Sequence, residues 1–98
     1  MITFNELLKR AKTEKVAIHT STEEQAVVLL SKLNKRGYVW KGKYDLITTT
    51  HFGRNEEDTC YALEPNNIIC YSSITWYQIM SYKIIEFSEI DFKEKKQK

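Results

Sequence analysis

The chain carries two imidazoles, His19 and His51, and two thiols, Cys60 and Cys70. A cysteine beside a histidine that an acid orients is the minimum set for nucleophilic catalysis, and its members need not be neighbours in sequence. Cys60, however, stands between Thr59 and Tyr61 in a strand-like run, not at a helix N-terminus where a thiolate would be stabilised. Packing is the expectation for it, with a Cys-dependent enzyme as a secondary reading. The four side chains have no Cys-x-x-Cys or His-x-x-x-His spacing, so zinc would need separate segments to converge. Glu56, Glu57 and Asp58 are adjacent and cannot all turn inward; they read as a solvated loop. Gly37, Gly42 and Gly53 are too scattered to cradle a phosphate, and neither a Gly-x-Ser-x-Gly elbow nor a dinucleotide fingerprint is present. The expectation is a protein that is not an enzyme and takes no metal or other cofactor.

The aromatic residues have more functional reach. Ten of the twelve fall between Gly37 and Phe87, and a domain of this size either hides such rings in its core or shows some of them to a partner. Trp76, Tyr77 and Tyr82, beside a segment of ambiguous structure, together with Trp40, are the candidate partner-binding residues. A second set, Tyr38 and Trp40 with Lys43 and Arg54, combines rings that could stack a base with cations that could hold a phosphate, and would suit a small nucleotide.

These residues must be positioned by surrounding elements. Thr3 followed by Glu6 is a capping-box pattern, and Phe4, Leu7, Leu8 and Ala11 recur at helical spacing, which predicts a helix over about residues 4–12. Residues 15–20 read as a strand with Val16 and Ile18 on one face and Ala17 and His19 on the other. Two overlapping boxes, Thr20 with Glu23 and Ser21 with Glu24, then open a helix that buries Ala26, Leu29, Leu30 and Leu33 and stops at Gly37. Beyond it the period turns to alternation: residues 38–40, 44–50, 59–63 and 68–72 read as strands, with turns at 41–43 and 65–67. Residues 51–58 are the polar loop, expected to be the most mobile stretch; residues 73–81 fit either a short helix or irregular chain, and 83–88 a closing strand. If paired residue numbers in the 59–63/68–72 hairpin sum to an even value, Cys60 and Cys70 share a face; if odd, they cannot bridge. The order predicts an α+β fold: a small, mostly antiparallel sheet of about 4–5 strands with two helices packed on one face.

Composition bounds the rest. Ninety-eight residues, 42% hydrophobic and 29% charged, suit one globular domain, read here as residues 1–92 followed by a charged, disordered tail over 93–98. That tail holds four bases and one acid, so of the formal +2 it supplies +3 and the body before it sums to −1. A general phosphate-binding surface is thereby disfavoured. No apolar run approaches the roughly 20 residues of a membrane-spanning helix, and the N-terminus lacks the pattern of a secretory signal, which predicts a cytoplasmic address with reduced thiols and no membrane partner.

Four phrases taken in order, Val16-Ala17-Ile18-His19-Thr20-Ser21-Thr22-Glu23-Glu24-Gln25-Ala26, Gly37-Tyr38-Val39-Trp40, Asp58-Thr59-Cys60-Tyr61 and Tyr82-Lys83-Ile84-Ile85-Glu86-Phe87-Ser88, resemble small proteins encoded by bacteriophages and prophages of Gram-positive bacteria. The resemblance covers roughly residues 14 to 90 and consists of caps, strands and aromatics, so it transfers no functional residue. It implies a counter-defence context in the cytoplasm of a bacterial host. The expected function is a non-enzymatic inhibitor, anti-CRISPR-like, that occupies a host defence protein such as a CRISPR effector. The alternative is a sponge for a small, cyclic nucleotide immune signal, held at a boundary between subunits of a homo-oligomer.

Overall fold

A computed structural model describes residues 1–43, 45–46 and 49–93 of the chain. Thr3 caps the first helix, α1 (Phe4–Arg10), with the predicted box: its hydroxyl accepts from the Glu6 amide at 3.1 Å while the Glu6 carboxylate accepts from the Thr3 amide at 3.2 Å. The strand β2 (Val16–His19) follows. The next cap is displaced from its predicted place. Thr20 is drawn into the sheet, its amide and hydroxyl both donating to the Thr59 carbonyl, so Thr22 becomes the cap of α2 (Glu23–Lys35), accepting from the Gln25 amide, while the Gln25 side chain accepts from the Ser21 amide. Both acids of the first turn still face the positive end of the helix dipole. At the far end Gly37 takes φ +87°, and the Gly37 and Tyr38 amides close back onto the Asn34 and Leu33 carbonyls, the hydrogen-bond pair of a Schellman stop.

The remaining strands are β1 (Ile2–Thr3), β3 (Val39–Trp40), β4 (Thr59–Glu64), β5 (Ile68–Ser73), β6 (Lys83–Glu86) and β7 (Ile90–Asp91), and a third helix, α3 (Ile74–Ile79), follows β5 directly. Five strands form the main sheet in the order β3-β5-β4-β2-β6, and β1 pairs with β7 in a second, two-stranded sheet. The central ladders, β4 with β5 over six residue pairs and β4 with β2 over four, are antiparallel; the flanking ladders, β2 with β6 over four and β3 with β5 over two, are parallel. The fold is α+β, with a mostly antiparallel main sheet. The β4–β5 turn is made at Pro65-Asn66-Asn67, where both asparagines adopt positive φ, 66° and 60°, a conformation Asn tolerates better than other side chains. Within the segment expected as a strand over 44–50, Asp45 makes one isolated bridge to Val39 and Leu46 is fully buried; Tyr44, Ile47 and Thr48 lie outside the described residues, as does the tail from residue 94.

Alternation along the strands divides the interior. Val16, Ile18, Tyr61, Leu63, Ile69 and Ile85 face α1 and α2 and pack with Leu7, Leu29, Leu30 and Leu33 in the main core. Each fully buried aliphatic side chain there contributes about 1.5–3 kcal/mol. The opposite face carries small residues, Ala17, Cys60 and Ala62, and over them lies Tyr77 of α3. Two helices thus cover one face as the sequence predicts, and the ambiguous 73–81 segment is a third helix on the other. Among the described residues no helix is long and apolar enough to cross a membrane.

Candidate functional site

The strand register fixes which members of the imidazole–thiol set are neighbours. Cys60 pairs with Ser72 and Ala62 with Cys70, an even sum, so the two thiols share the α3 face of the sheet; both are free. His19 pairs with Cys60 on one side and with Glu86 on the other. Across one row the sheet therefore presents Cys60, His19 and Glu86, the order of nucleophile, base and orienting acid. The hydrogen bonds are not those that this order would need. His19 Nδ1 lies 2.7 Å from Glu86 Oε1 and Nε2 lies 2.7 Å from the Glu57 carbonyl, which can only accept. Each ring nitrogen faces an oxygen acceptor, so the geometry suits a ring that donates from both, a form with no lone pair to take a proton from sulfur. Desolvation pulls the His19 pKa down, but the bonds to Glu86 and Glu57, with the charges of Glu86 and Asp58, outweigh it and hold the pKa above 6.5. Cys60 is fully buried, and burial, with the negative charges of Glu86 and Asp58, pushes its thiol up to about 12. The row is a strut joining β6, β2 and the 56–58 turn, with no thiolate at neutral pH. Among the described residues no three His, Cys, Asp or Glu side chains are arranged to hold a metal.

The aromatic residues separate into sealed and open. Trp40 is 2% exposed, enclosed by an edge-on His51 at 4.8 Å and by Tyr61 and Tyr71, with His51 stacked on Tyr71 at 4.2 Å. Its Nε1 and the His51 Nε2 are buried and have no hydrogen-bond partner among the described residues. Trp40 is thus corrected from a partner contact to a core ring, because β3 and the chain around it fold over its face. Tyr77 needs the same correction: at 3% exposure it is the lid on the small-residue face, packed against Tyr82 with ring centroids 4.8 Å apart. Tyr82 is half-buried; its hydroxyl donates to Glu64 Oε2 at 2.5 Å and Lys15 stands 5.6 Å from its ring. Of the four predicted partner residues Trp76 alone is exposed, at 50%.

Trp76 has company that the sequence reading missed. Ser73 caps α3, accepting from the Trp76 amide at 3.2 Å, and helical spacing then puts Trp76, Ile79 and Met80 on one stripe, at i, i+3 and i+4. Ile79 is 70% and Met80 41% exposed. The helix has neither an acid in its first turn nor a base in its last. The signal available in the sequence is the run from Pro65 to Tyr82, eighteen residues without one charged side chain in a chain that is 29% charged. Its first part is the buried hairpin and its last part is this ridge.

The predicted nucleotide set does not assemble. Lys43 sits on the exposed turn after Trp40, and Arg54, also exposed, lowers the His51 pKa together with that ring's desolvation, desolvation being the larger cause. Tyr38 opens elsewhere, onto a cleft of about 330 Å³ that it lines with Asn5, Lys9, Lys12, Arg36 and Asn67. Compared with models of known protein families, with curated proteins and with solved structures, the chain has no match.

Proposed function

We propose that this chain is a non-enzymatic binding protein that docks one protein partner, in stoichiometric complex, through the outer stripe of α3. The observation that carries the reading is the ridge of Trp76, Ile79 and Met80. Single exposed apolar residues are ordinary, but three on one uncharged helical stripe leave apolar area open, which a partner's surface would bury at about 25 cal/mol per Å². Tryptophan is also the residue most enriched among energetic anchors of interfaces. The partner's class is taken from the resemblance to phage-encoded proteins: a bacterial defence protein, such as a CRISPR effector, met in the host cytoplasm. The alternative of a nucleotide sponge built on Tyr38, Trp40, Lys43 and Arg54 has less support, since Trp40 offers no open face for a base.

Both Trp76 and Ile79 are exposed, so the double variant Trp76→Ala/Ile79→Asp leaves the core intact and keeps the wild-type thermal midpoint. A one-to-one complex formed from a Gram-positive bacterial extract by the wild-type chain weakens at least about tenfold in the variant, as for loss of an interface anchor. A complex of unchanged affinity would refute the α3 site, and catalytic turnover of the captured protein would refute the binding-only role.

A further inference from the structure

The outer edge of β5 carries a different inference, independent of the α3 ridge. Main-chain groups alternate in direction along a strand. The Thr59 carbonyl is taken by Thr20, the residue after β2, so Thr59, Tyr61 and Leu63 turn their main-chain groups towards β2. Cys60, Ala62 and Glu64 turn theirs towards β5, where their partners are Ser72, Cys70 and Ile68. The residues between those partners, Ile69, Tyr71 and Ser73, point away from β4. On that side β3 pairs with Ile68 and Ile69 and goes no further. After Trp40 the chain leaves the sheet in a turn closed by the Lys43 amide, which donates to the Trp40 carbonyl. Among the described residues no strand lies along the outer edge of β5 from Cys70 to Ser73. The Tyr71 amide and carbonyl and the Ser73 amide form an open row there; the Ser73 carbonyl, belonging to a helix cap, opens the α3 ladder.

The second observation is the shape and charge of that edge. A groove of about 340 Å³ is lined by Trp40, Lys41, Gly42, Ile69, Cys70 and Tyr71. Cys70 and Tyr71 are consecutive in a strand and face opposite sides of the sheet, so a groove that touches both runs along the edge itself, where β3 would lie if it continued. An open row of strand amides and carbonyls is completed by an extended backbone. Lys41 lines the groove and Lys43 follows on the same exposed turn, while among the described residues no carboxylate lines it. Two copies pairing by this edge would bring two such lysine turns to one short junction, and lysine at a sheet edge is a recurrent guard against self-pairing. The same charge attracts an acidic segment.

We propose that β5 takes an added strand: an extended, acidic segment of a partner protein that runs along residues 70–73 and bonds the main chain of Tyr71 and Ser73. The groove beside Trp40 and Lys41 receives one end of that segment, and its carboxylates lie near the 41–43 turn.

The test is amide hydrogen exchange followed by NMR on the whole chain, free and with the peptide acetyl-Glu-Val-Glu-Val-Glu-Val-Glu-amide. In the free chain the Cys70 and Ser72 amides, bonded to β4, should be protected, and those of Tyr71 and Ser73 should exchange faster. Saturating peptide should slow Tyr71 and Ser73 at least about tenfold, as for amides newly held in a ladder. The fully N-methylated peptide, which keeps the charge and offers no N–H, and a peptide with lysine in place of each glutamate should each bind at least about tenfold more weakly. Lys41→Glu, at an exposed position, should keep the thermal midpoint and weaken binding of the acidic peptide. A Tyr71 amide already protected in the free chain, no saturable binding by about 1 mM peptide, or equal binding of the N-methylated peptide would each overturn the proposal. So would Tyr71 protection that grows with the concentration of the chain alone, which would give the edge to a second copy.

Discussion

Alkylation of the native protein separates a structural Cys60 from a reactive one. A thiol at the reference value of 9.0 is about one-tenth ionised at pH 8, whereas one at about 12 is ionised in about one molecule in ten thousand. Ionisation alone therefore slows attack on iodoacetamide about a thousandfold. Access slows it further, because β4 is the central strand of the main sheet, Cys60 is fully buried in it and Tyr77 packs over the same patch. The reagent must wait for an opening whose free energy approaches that of global unfolding, on the order of 5–15 kcal/mol. Cys70 offers an internal comparison: it shares the face but is only half-buried, and it borders a groove with Lys41 and Tyr71. Peptide mass spectrometry over time should show Cys70 modified first and Cys60 modified only when denaturant is added. Modification of native Cys60 within tenfold of its rate in the unfolded chain would refute the argument and revive the Cys60–His19–Glu86 row as chemistry.

Two further outcomes test the frame that holds both sites. The His19 pKa is raised in the folded state, so its contribution to stability is fully present below 6.5 and is lost as pH rises through the folded value; His51, whose pKa is lowered, works in the opposite sense, its contribution present above 6.5 and lost as pH falls. His19→Gln should therefore destabilise more at about pH 5.5 than at about pH 8.5 in urea titrations, and a cost that is equal at both or larger at alkaline pH would contradict the two-donor strut. Gly37→Ala should cost about 1–2 kcal/mol through strain at φ +87°, since an added Cβ meets nothing closer than Asn67 Nδ2 at 3.8 Å; an unchanged thermal midpoint would show that the Schellman stop is dispensable.

Local signals were read correctly where one segment decides its own structure. The Thr3–Glu6 box, the Leu29-Leu30-Leu33 stripe, the stop at Gly37 and the turn at Pro65-Asn66-Asn67 each follow from residues within a few positions of one another. The displaced cap of α2 shows where this fails. Thr20, Ser21 and Thr22 are chemically equivalent candidates, and the choice falls to Thr22 because Thr59, thirty-nine residues away, engages Thr20. Strand order, and with it the Cys60–His19–Glu86 row, is likewise a long-range outcome that no local period reveals.

Ring exposure was the least legible property, for a related reason. Trp40 and Trp76 both sit among aromatic and β-branched neighbours, and composition gives them equal standing. What separates them is which side of the sheet each meets. The α1–α2 side offers leucines long enough to bury an indole, and Trp40 is sealed there among Tyr61, Tyr71 and His51. The other side is floored by Ala17, Cys60 and Ala62, so a six-residue helix lying on it can sink one ring, and Tyr77 takes that place. Helical geometry then leaves Trp76, one position earlier and about 100° around the axis, with nowhere to go but outward. Small residues on the β2 and β4 strands thus dictate an exposed tryptophan on α3: enlarging the floor with Ala62→Leu should lift Tyr77 and disturb the ridge without touching it.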